Sequence, residues 1–374
     1  MKNILIAIPC LLIGGTEYQT LYTVKALVEN NYRVTVVCYF EYDEYMVDLY
    51  KKAGANVILL SPTGKRPVSL FKTAKFLFIN FKKILKKQTY DVVHMQYMAP
   101  GSLSFLLFKL LGVKKIIVHA HTPGHIYKNK MVPKIIMKLS AAFICVSKSS
   151  EKSFFDVEGE LFNKKLIKNG RKHFTIYNCV NIPNYIEKKN KENFTIGVVS
   201  RLVYLKGIDI LIKALPDVKD KIDKFKVVII GNGYEKEKLI KLAKKLNVED
   251  KIEWKGFIPK EFLQNYYNLF DIMVIPSRFE GFGLTAVESM SYKIPVIASN
   301  VDGLKEIIDD GENGLLFNKE DSKMLADKIL QIYNDQKLKN KLGKNAYEKV
   351  KQKFSYEVYK NKINELYELI VKEK

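Results

Sequence analysis

Two glutamates and two basic residues stand at spacings that could do chemistry. The run Pro-Ser-Arg-Phe-Glu-Gly-Phe-Gly-Leu-Thr-Ala-Val-Glu, residues 276–288, sets Glu280 and Glu288 eight positions apart with Gly281 and Gly283 between them. Those glycines permit a tight turn with close backbone approach, and a helix starting there points free N–H groups at whatever binds. At ~1.5 Å per helical residue the two carboxylates lie up to ~12 Å apart. A carboxylate accepts from both hydroxyls of a diol. A nucleotide sugar carries two diols at about that separation, one on the hexose and one on the ribose. Taken alone, two glutamates at this spacing are ordinary surface residues, so the reading needs support from the rest of the chain.

Arg201 and Lys206 supply some of it, because they leave one strand pattern and enter a helix. Departure of a nucleoside diphosphate builds negative charge that must be neutralised. Some enzymes use a divalent metal held by Asp-x-Asp, and no Asp-x-Asp occurs in this chain. A planar guanidinium fork at Arg201 and a point charge at Lys206 can replace it, so neither metal nor other cofactor is expected. Gly14 and Gly15 follow the first strand pattern and open a helix, which suits approach of a phosphate or an acceptor. The loop is not G-x-G-x-x-G, which argues against an ordinary dinucleotide site. His94, His119, His121 and His125 lie close in sequence and make a metal cluster conceivable, but no acidic residue or cysteine joins the last three nearby.

In combination these features resemble family 4 of the retaining glycosyltransferases, which have the GT-B fold. The family signature is Glu, seven residues, Glu, preceded by Pro-Ser and followed by a Pro-containing strand; here Pro276 and Ser277 precede Glu280, and Pro295-Val296-Ile297-Ala298 follows Glu288. The resemblance implies that Glu280 and the amides of Phe282 and Gly283 hold the donor sugar, with Gly281, Leu284 and Thr285 also donor-binding, that Glu288 takes the ribose, and that Arg201 and Lys206 take the diphosphate. It further implies that Gly231 lies beside the donor, that Phe257 and Ile258 meet the base, and that Gly14 and Gly15 stand near the transferred group. His121 matches the family's histidine at the reacting sugar, with His119 as the competing assignment, and His94 matches a position whose role can be structural. Several positions depart from the pattern: Ser200 replaces the usual glycine before Arg201, Asn178-Cys179-Val180-Asn181 stands for Asn-Gly-Val-Asp, and Asp302-Gly303-Leu304-Lys305 replaces a glycine pair and proline ahead of Glu306, Gly311 and Gly314. The last of these requires a different turn.

Positioning such residues takes two sets of elements. Short apolar runs at 4–8, 34–39, 57–60, 91–94, 116–119 and 142–146 alternate with helical patterns, and a second series follows at 194–199, 227–230, 252–254, 272–275 and 296–298. Alternation of this kind means parallel sheets. Two doubly wound Rossmann-like α/β domains are expected, an acceptor-side one over 1–182 and a donor-binding one over 190–354. A polar linker near 181–193 joins them, a terminal helix over 355–374 returns to the first domain, and the ligand cleft lies between the two.

Bulk properties fit this reading. A length of 374 residues suits two domains, and 47% apolar residues exclude disorder as the default. Four scattered cysteines suit buried free thiols in a reducing compartment. The opening apolar run lacks a small-residue cleavage site and continues into a βαβ pattern, and no stretch approaches the ~20 residues of a bilayer span. A cytoplasmic protein, touching the membrane from inside, is the expectation. The net charge of +22 favours a polyanion, an anionic membrane or a phosphorylated substrate. Residues 65–87 hold eight basic and no acidic side chains among Phe71, Phe76, Phe78 and Phe81. They suit either a membrane surface or a domain helix with its stripe in the core.

The expected activity is transfer of a hexose from a nucleotide sugar, UDP-linked, to a saccharide or lipid-linked acceptor in capsule, exopolysaccharide or lipopolysaccharide synthesis. A GT-B nucleotide-sugar epimerase is the alternative within the fold. A nucleic-acid-binding protein would explain the charge, but no RNP, zinc-finger or helix-turn-helix signature occurs, and no nucleic-acid partner is expected.

Overall fold

A computed structural model describes residues 1–67, 69–97, 101–124, 131–184 and 192–372; His125 and much of the expected linker lie outside them. The chain forms two compact units, Met1–Cys179 with Tyr356–Lys374, and Val180–Ser355. It therefore crosses between units twice, at 179/180 and at 355/356. A parallel bridge joins Val180 to Ser355 where the second unit begins and ends, and the Val180 N–H donates to Phe354 O at 2.9 Å.

The first unit carries strands β1 (Asn3–Ile8), β2 (Arg33–Cys38), β3 (Asn56–Leu59), β4 (Val92–Gln96), β5 (Ile116–Ala120), β6 (Ala142–Cys145) and β7 (His173–Thr175). Between them run α1 (Gly15–Glu29), α2 (Glu44–Lys52), α3 (Leu70–Lys87), α4 (Gly101–Leu110), α5 (Met131–Leu139), α6 (Lys148–Phe155) and α7 (Lys164–Lys168). The sheet order is β3-β2-β1-β4-β5-β6-β7, parallel throughout. Side chains alternate across a strand, so β1 serves two cores at once. Ile4, Ile6 and Ile8 join one apolar layer with Val24 and Leu27 of α1, whereas Leu5 and Ala7 join another with Phe81 of α3 and Phe108 of α4. Each fully buried side chain of this size contributes roughly 1.5–3 kcal/mol.

In the second unit the strands are β8 (Phe194–Val199), β9 (Phe225–Ile230), β10 (Ile252–Gly256), β11 (Ile272–Ile275), β12 (Val296–Ser299) and β13 (Leu315–Phe317), in the parallel order β10-β9-β8-β11-β12-β13. Its helices are α8 (Ile208–Lys219), α9 (Lys236–Lys245), α10 (Lys260–Tyr267), α11 (Leu284–Ser291), α12 (Asp302–Lys305), α13 (Ser322–Asn334) and α14 (Gln336–Lys349). A final helix, α15 (Tyr356–Lys372), belongs to the first unit: Tyr359, Ile363, Leu366, Tyr367 and Ile370 enter its core, and Thr23 Oγ1 and Tyr359 Oη hydrogen-bond at 2.6 Å.

Both units are doubly wound, as the strand–helix alternation predicts. Each sheet reverses direction once, at β1/β4 and at β8/β11. Such a switch point opens a crevice beyond the carboxyl ends of the two strands, where ligands bind in open α/β sheets. The glycine pair follows β1, His94 lies in the middle of β4, and His119 and His121 stand at the carboxyl end of β5. Arg201 follows β8, and the glutamate signature follows β11.

Candidate active site

In the second unit the segment after β8 tightens into a 3-10 turn, Tyr204–Lys206, that turns Lys206 back toward the loop after β11. There the Lys206 ammonium pairs with Glu280 Oε1, and Ser277 Oγ donates to the same oxygen at 3.2 Å. Glu280 precedes the helix, because α11 starts at Leu284 behind Gly283. Phe282 is buried against Phe354, while Gly281, Leu284 and Thr285 are half-buried. Arg201 is exposed; its carbonyl accepts from Val203 N–H at 3.0 Å and from Ser200 Oγ at 3.2 Å, while its guanidinium makes no hydrogen bond or ion pair with the described residues and is available.

Arg278 fixes this arrangement. Its guanidinium donates to Asp209 Oδ1 and Oδ2 at 2.7 and 2.9 Å, to Glu320 Oε1 and Oε2 at 2.6 and 3.0 Å, and to Tyr204 O at 2.8 Å, and it lies 4.1 Å from the Tyr204 ring centre. The Arg278 N–H donates to Leu205 O at 2.8 Å. One residue thus ties the start of α8, the turn that carries Lys206 and the signature loop. Burial pushes the Asp209 carboxyl up, but hydrogen bonds from Arg278 and Lys213 outweigh it and pull the group down to about 2.

Glu288 sits in α11 with both oxygens engaged from α10: Lys260 Nζ lies 2.7 Å from Oε1, and Tyr267 Oη donates to Oε2 at 3.0 Å. Phe257, half exposed, and Ile258 lie between β10 and that helix. Gly231, at φ 135°, donates its N–H to Gly256 O at 2.7 Å. A Cβ there would stand 1.8 Å from Ser200 O, so a side chain would push apart the ends of β8 and β9. Gly303 of α12 is equally confined, with a Cβ position 2.5 Å from Glu280 O and 2.9 Å from Phe282 N. The altered turn at 302–305 therefore still reaches the signature loop, through a short helix.

In the first unit the parallel register sets Gln96 of β4 opposite His119 of β5, and His94 opposite Ile117. Residues two apart share a face, so His94, His119 and His121 line up as a stack, with ring centres 5.6 and 4.4 Å apart. His94 Nδ1 hydrogen-bonds Tyr367 Oη of α15 at 2.7 Å, which gives His94 a structural role. His119 is fully buried, with neither ring nitrogen hydrogen-bonded. His121 is half-buried at the carboxyl end of β5, 2.7 Å from Gln96 Oε1. Burial, and then the neighbouring His119 and His94, holds its pKa well below the ordinary imidazole value, so the ring is neutral.

Beside this stack lies a group that spacing alone did not assemble. Gly14 caps α1, and the Glu17 carboxylate folds back over it; Tyr97 Oη and Cys10 Sγ approach Glu17 Oε1 at 3.3 and 3.4 Å. Tyr97 adopts φ 66°, a costly conformation for a non-glycine residue and one that clusters at functional sites. Burial, then Glu17, pushes the Cys10 thiol up to about 12. Among the described residues no group of three His, Cys, Asp or Glu side chains could hold a metal ion. Lys260, Tyr267 and the partners of Arg278 also went unassigned from sequence. The one available signal was Lys260 itself, a cation in the first turn of a helix, where the macrodipole disfavours it.

Two family profiles match the chain, Glycosyltransferase Family 4 over residues 13–164 and Glycosyl transferases group 1 over residues 183–349. An uncharacterised glycosyltransferase of Methanocaldococcus jannaschii is 30% identical over 365 residues, 95% of each chain. The capsular polysaccharide biosynthesis glycosyltransferase CapM of Staphylococcus aureus is 30% identical over 193 residues, 49% of this chain and 48% of CapM. Among solved structures, Anabaena HepE in complex with UDP and glucose superposes with a TM-score of 0.80 at 20% identity, covering 98% of this chain and 99% of HepE.

Proposed function

The chain belongs to the family 4 glycosyltransferases of GT-B fold, and from that premise we propose that it moves a hexose from a UDP-linked donor to a saccharide or lipid-linked saccharide acceptor, with retained configuration and without a metal. The observation that carries this reading is the contact between Lys206 and Glu280, which joins the turn after β8 to the loop after β11. A cation for the departing phosphate and an acceptor for the sugar's hydroxyls stand side by side, as they must if one donor spans both.

Arg201 and Lys206 neutralise the leaving diphosphate. Glu280 orients the sugar by accepting from its hydroxyls, with the amides of Phe282 and Gly283 beside it, and Glu288 takes the ribose diol. The base lies along Phe257 and Ile258. His121, neutral, supports the reacting sugar, and the Gly14–Gly15 turn borders the transferred group. His121 is preferred over His119 because His119 is buried within β5. In a front-face displacement the bond from the anomeric carbon to the donor phosphate breaks and one to the acceptor oxygen forms on the same face. The acceptor's proton passes to the departing phosphate oxygen, so no protein base is required.

The capsular relative and the complexes of HepE with UDP and glucose and with UDP-glucose support a surface-polysaccharide setting and a UDP-hexose donor. A lipid-linked acceptor at the inner membrane face is supported by the two unlike faces of α3. Leu77, Phe81 and Ile84 enter the core, while Phe71, Phe78 and Ile79 are exposed among Lys72, Lys75, Lys82 and Lys83. Such a face suits anionic lipid, with lysine stems lying along the apolar surface. No helix among the described residues is long and apolar enough to cross a membrane.

A thermal-shift screen of nucleotide sugars with and without Mg²⁺ tests the proposal. UDP-hexoses should raise Tm equally in both; a requirement for Mg²⁺, or no response to any nucleotide sugar, would overturn it.

A further inference from the structure

Lys260 and Tyr267 open and close α10. Seven residues apart, they lie on the same side of the helix, and both reach Glu288 of α11. Lys260 Nζ takes Oε1 at 2.7 Å and Tyr267 Oη takes Oε2 at 3.0 Å, so each carboxylate oxygen has one donor from the protein. A carboxylate offers about four acceptor positions. Two are filled here, one per oxygen, and two remain, again one per oxygen.

The pairing is not incidental surface charge. The two side chains are only 28% and 14% exposed. Lys260 occupies the first turn of a helix, where a cation opposes the macrodipole, so its charge is offset by Glu288. Tyr267 is buried, with its ring stacked on Tyr292 and edge-on to Phe270, and it cannot swing away. One flexible donor and one rigid donor therefore fix the plane of the carboxylate.

We propose that Lys260 and Tyr267 are positioning residues that hold the Glu288 carboxylate in one orientation, with one acceptor site per oxygen left for the two hydroxyls of the donor's ribose, and that they thereby set its preference for ribo- over 2′-deoxyribonucleotides. This rests on the reading that Glu288 takes the ribose. Neither residue contacts the reacting atoms. Their loss should raise the donor KM and leave kcat nearly unchanged.

The test is calorimetric binding of the four common nucleoside diphosphates and their 2′-deoxy forms to the full chain, with Tm recorded for every variant. The unmodified protein should prefer the ribo form at least 10-fold. Lys260→Met and Tyr267→Phe should each cut that ratio several-fold, and Lys260→Arg should restore most of it. Tyr267→Phe retains the ring packing, so it tests the proposal even if Lys260→Met folds poorly. If the unmodified protein discriminates and both variants keep the full ratio while losing Tm, the pair only ties two helices together and the proposal is wrong. If the unmodified protein does not discriminate, and Glu288→Gln binds as well as it does, the ribose reading of Glu288 has failed first.

Discussion

Arg278 holds both oxygens of Asp209, at 2.7 and 2.9 Å, across 69 residues of chain, and the pair fixes the turn that presents Lys206. The Asp209 carboxyl falls from an ordinary 3.8 to about 2. Its stabilising contribution is therefore complete above pH ~4 and is lost as pH falls toward 2, a total of about 2 kcal/mol. Asp209→Asn should lower urea stability at pH 7 and flatten its fall between pH 5 and 3. Arg278→Met leaves two carboxylates facing each other and should cost about 3 kcal/mol. Unchanged urea midpoints at pH 7 in both variants would remove the cluster from the account.

Glu280 and Lys206 touch, yet the proposed mechanism gives them separable jobs. Glu280→Gln should reduce transfer by about 100-fold with UDP affinity little changed, since the loss falls on the sugar. Lys206→Ala should weaken UDP itself by about 10-fold, ~1.4 kcal/mol. Steady-state kinetics beside UDP titration distinguishes them, and the opposite pattern would exchange the two roles.

The histidine stack makes the first unit sensitive to mild acid. His94 and His121 are held well below the ordinary imidazole value, and burial brings His119 to about 3. Below pH ~6.5 the unfolded chain takes up protons that the folded stack refuses. Stability is thus complete above that pH and falls below it, by up to ~1.4 kcal/mol per pH unit for each histidine. Tm should drop between pH 7 and 5, and His119→Phe should make that drop shallower; an identical slope in the variant would show that the stack does not cause it.

Gly303 touches the signature loop backbone to backbone. Gly303→Ala drives a methyl into Glu280 O and Phe282 N, which cannot yield as a flexible side chain would. Overpacking of this kind costs roughly 1–3 kcal/mol, and here the loop proposed to orient the sugar should move with it. Donor KM should rise as Tm falls; full activity in the alanine variant would mean that the loop tolerates displacement.

Eleven of the strands were legible because each is a short run rich in β-branched and apolar residues between helical patterns. The two that were missed, β7 and β13, have three residues apiece and sit at sheet edges, too short for any period to register. At the site, Glu280, Glu288, Arg201 and Lys206 stood out through local spacing and motif. Lys260 did not, because it meets Glu288 only once α10 lies beside α11, and Glu320 meets Arg278 from 42 residues away. The histidines were visible singly. Their stack depends on the register between β4 and β5, which no one-dimensional pattern records.

The return of α15 to the first unit bears on biosynthesis. Residues 180–355 are contiguous, so the second unit can complete its core while still emerging from the ribosome. The first unit waits: Tyr359, Ile363, Leu366 and Tyr367 fill its interior and are translated only after the second unit. Until then the patch on α1 and β4 that receives them, His94 included, stays uncovered. Maturation thus runs against the order of synthesis, and a nascent chain stalled before residue 356 would carry a complete second unit and an open, chaperone-accessible first unit.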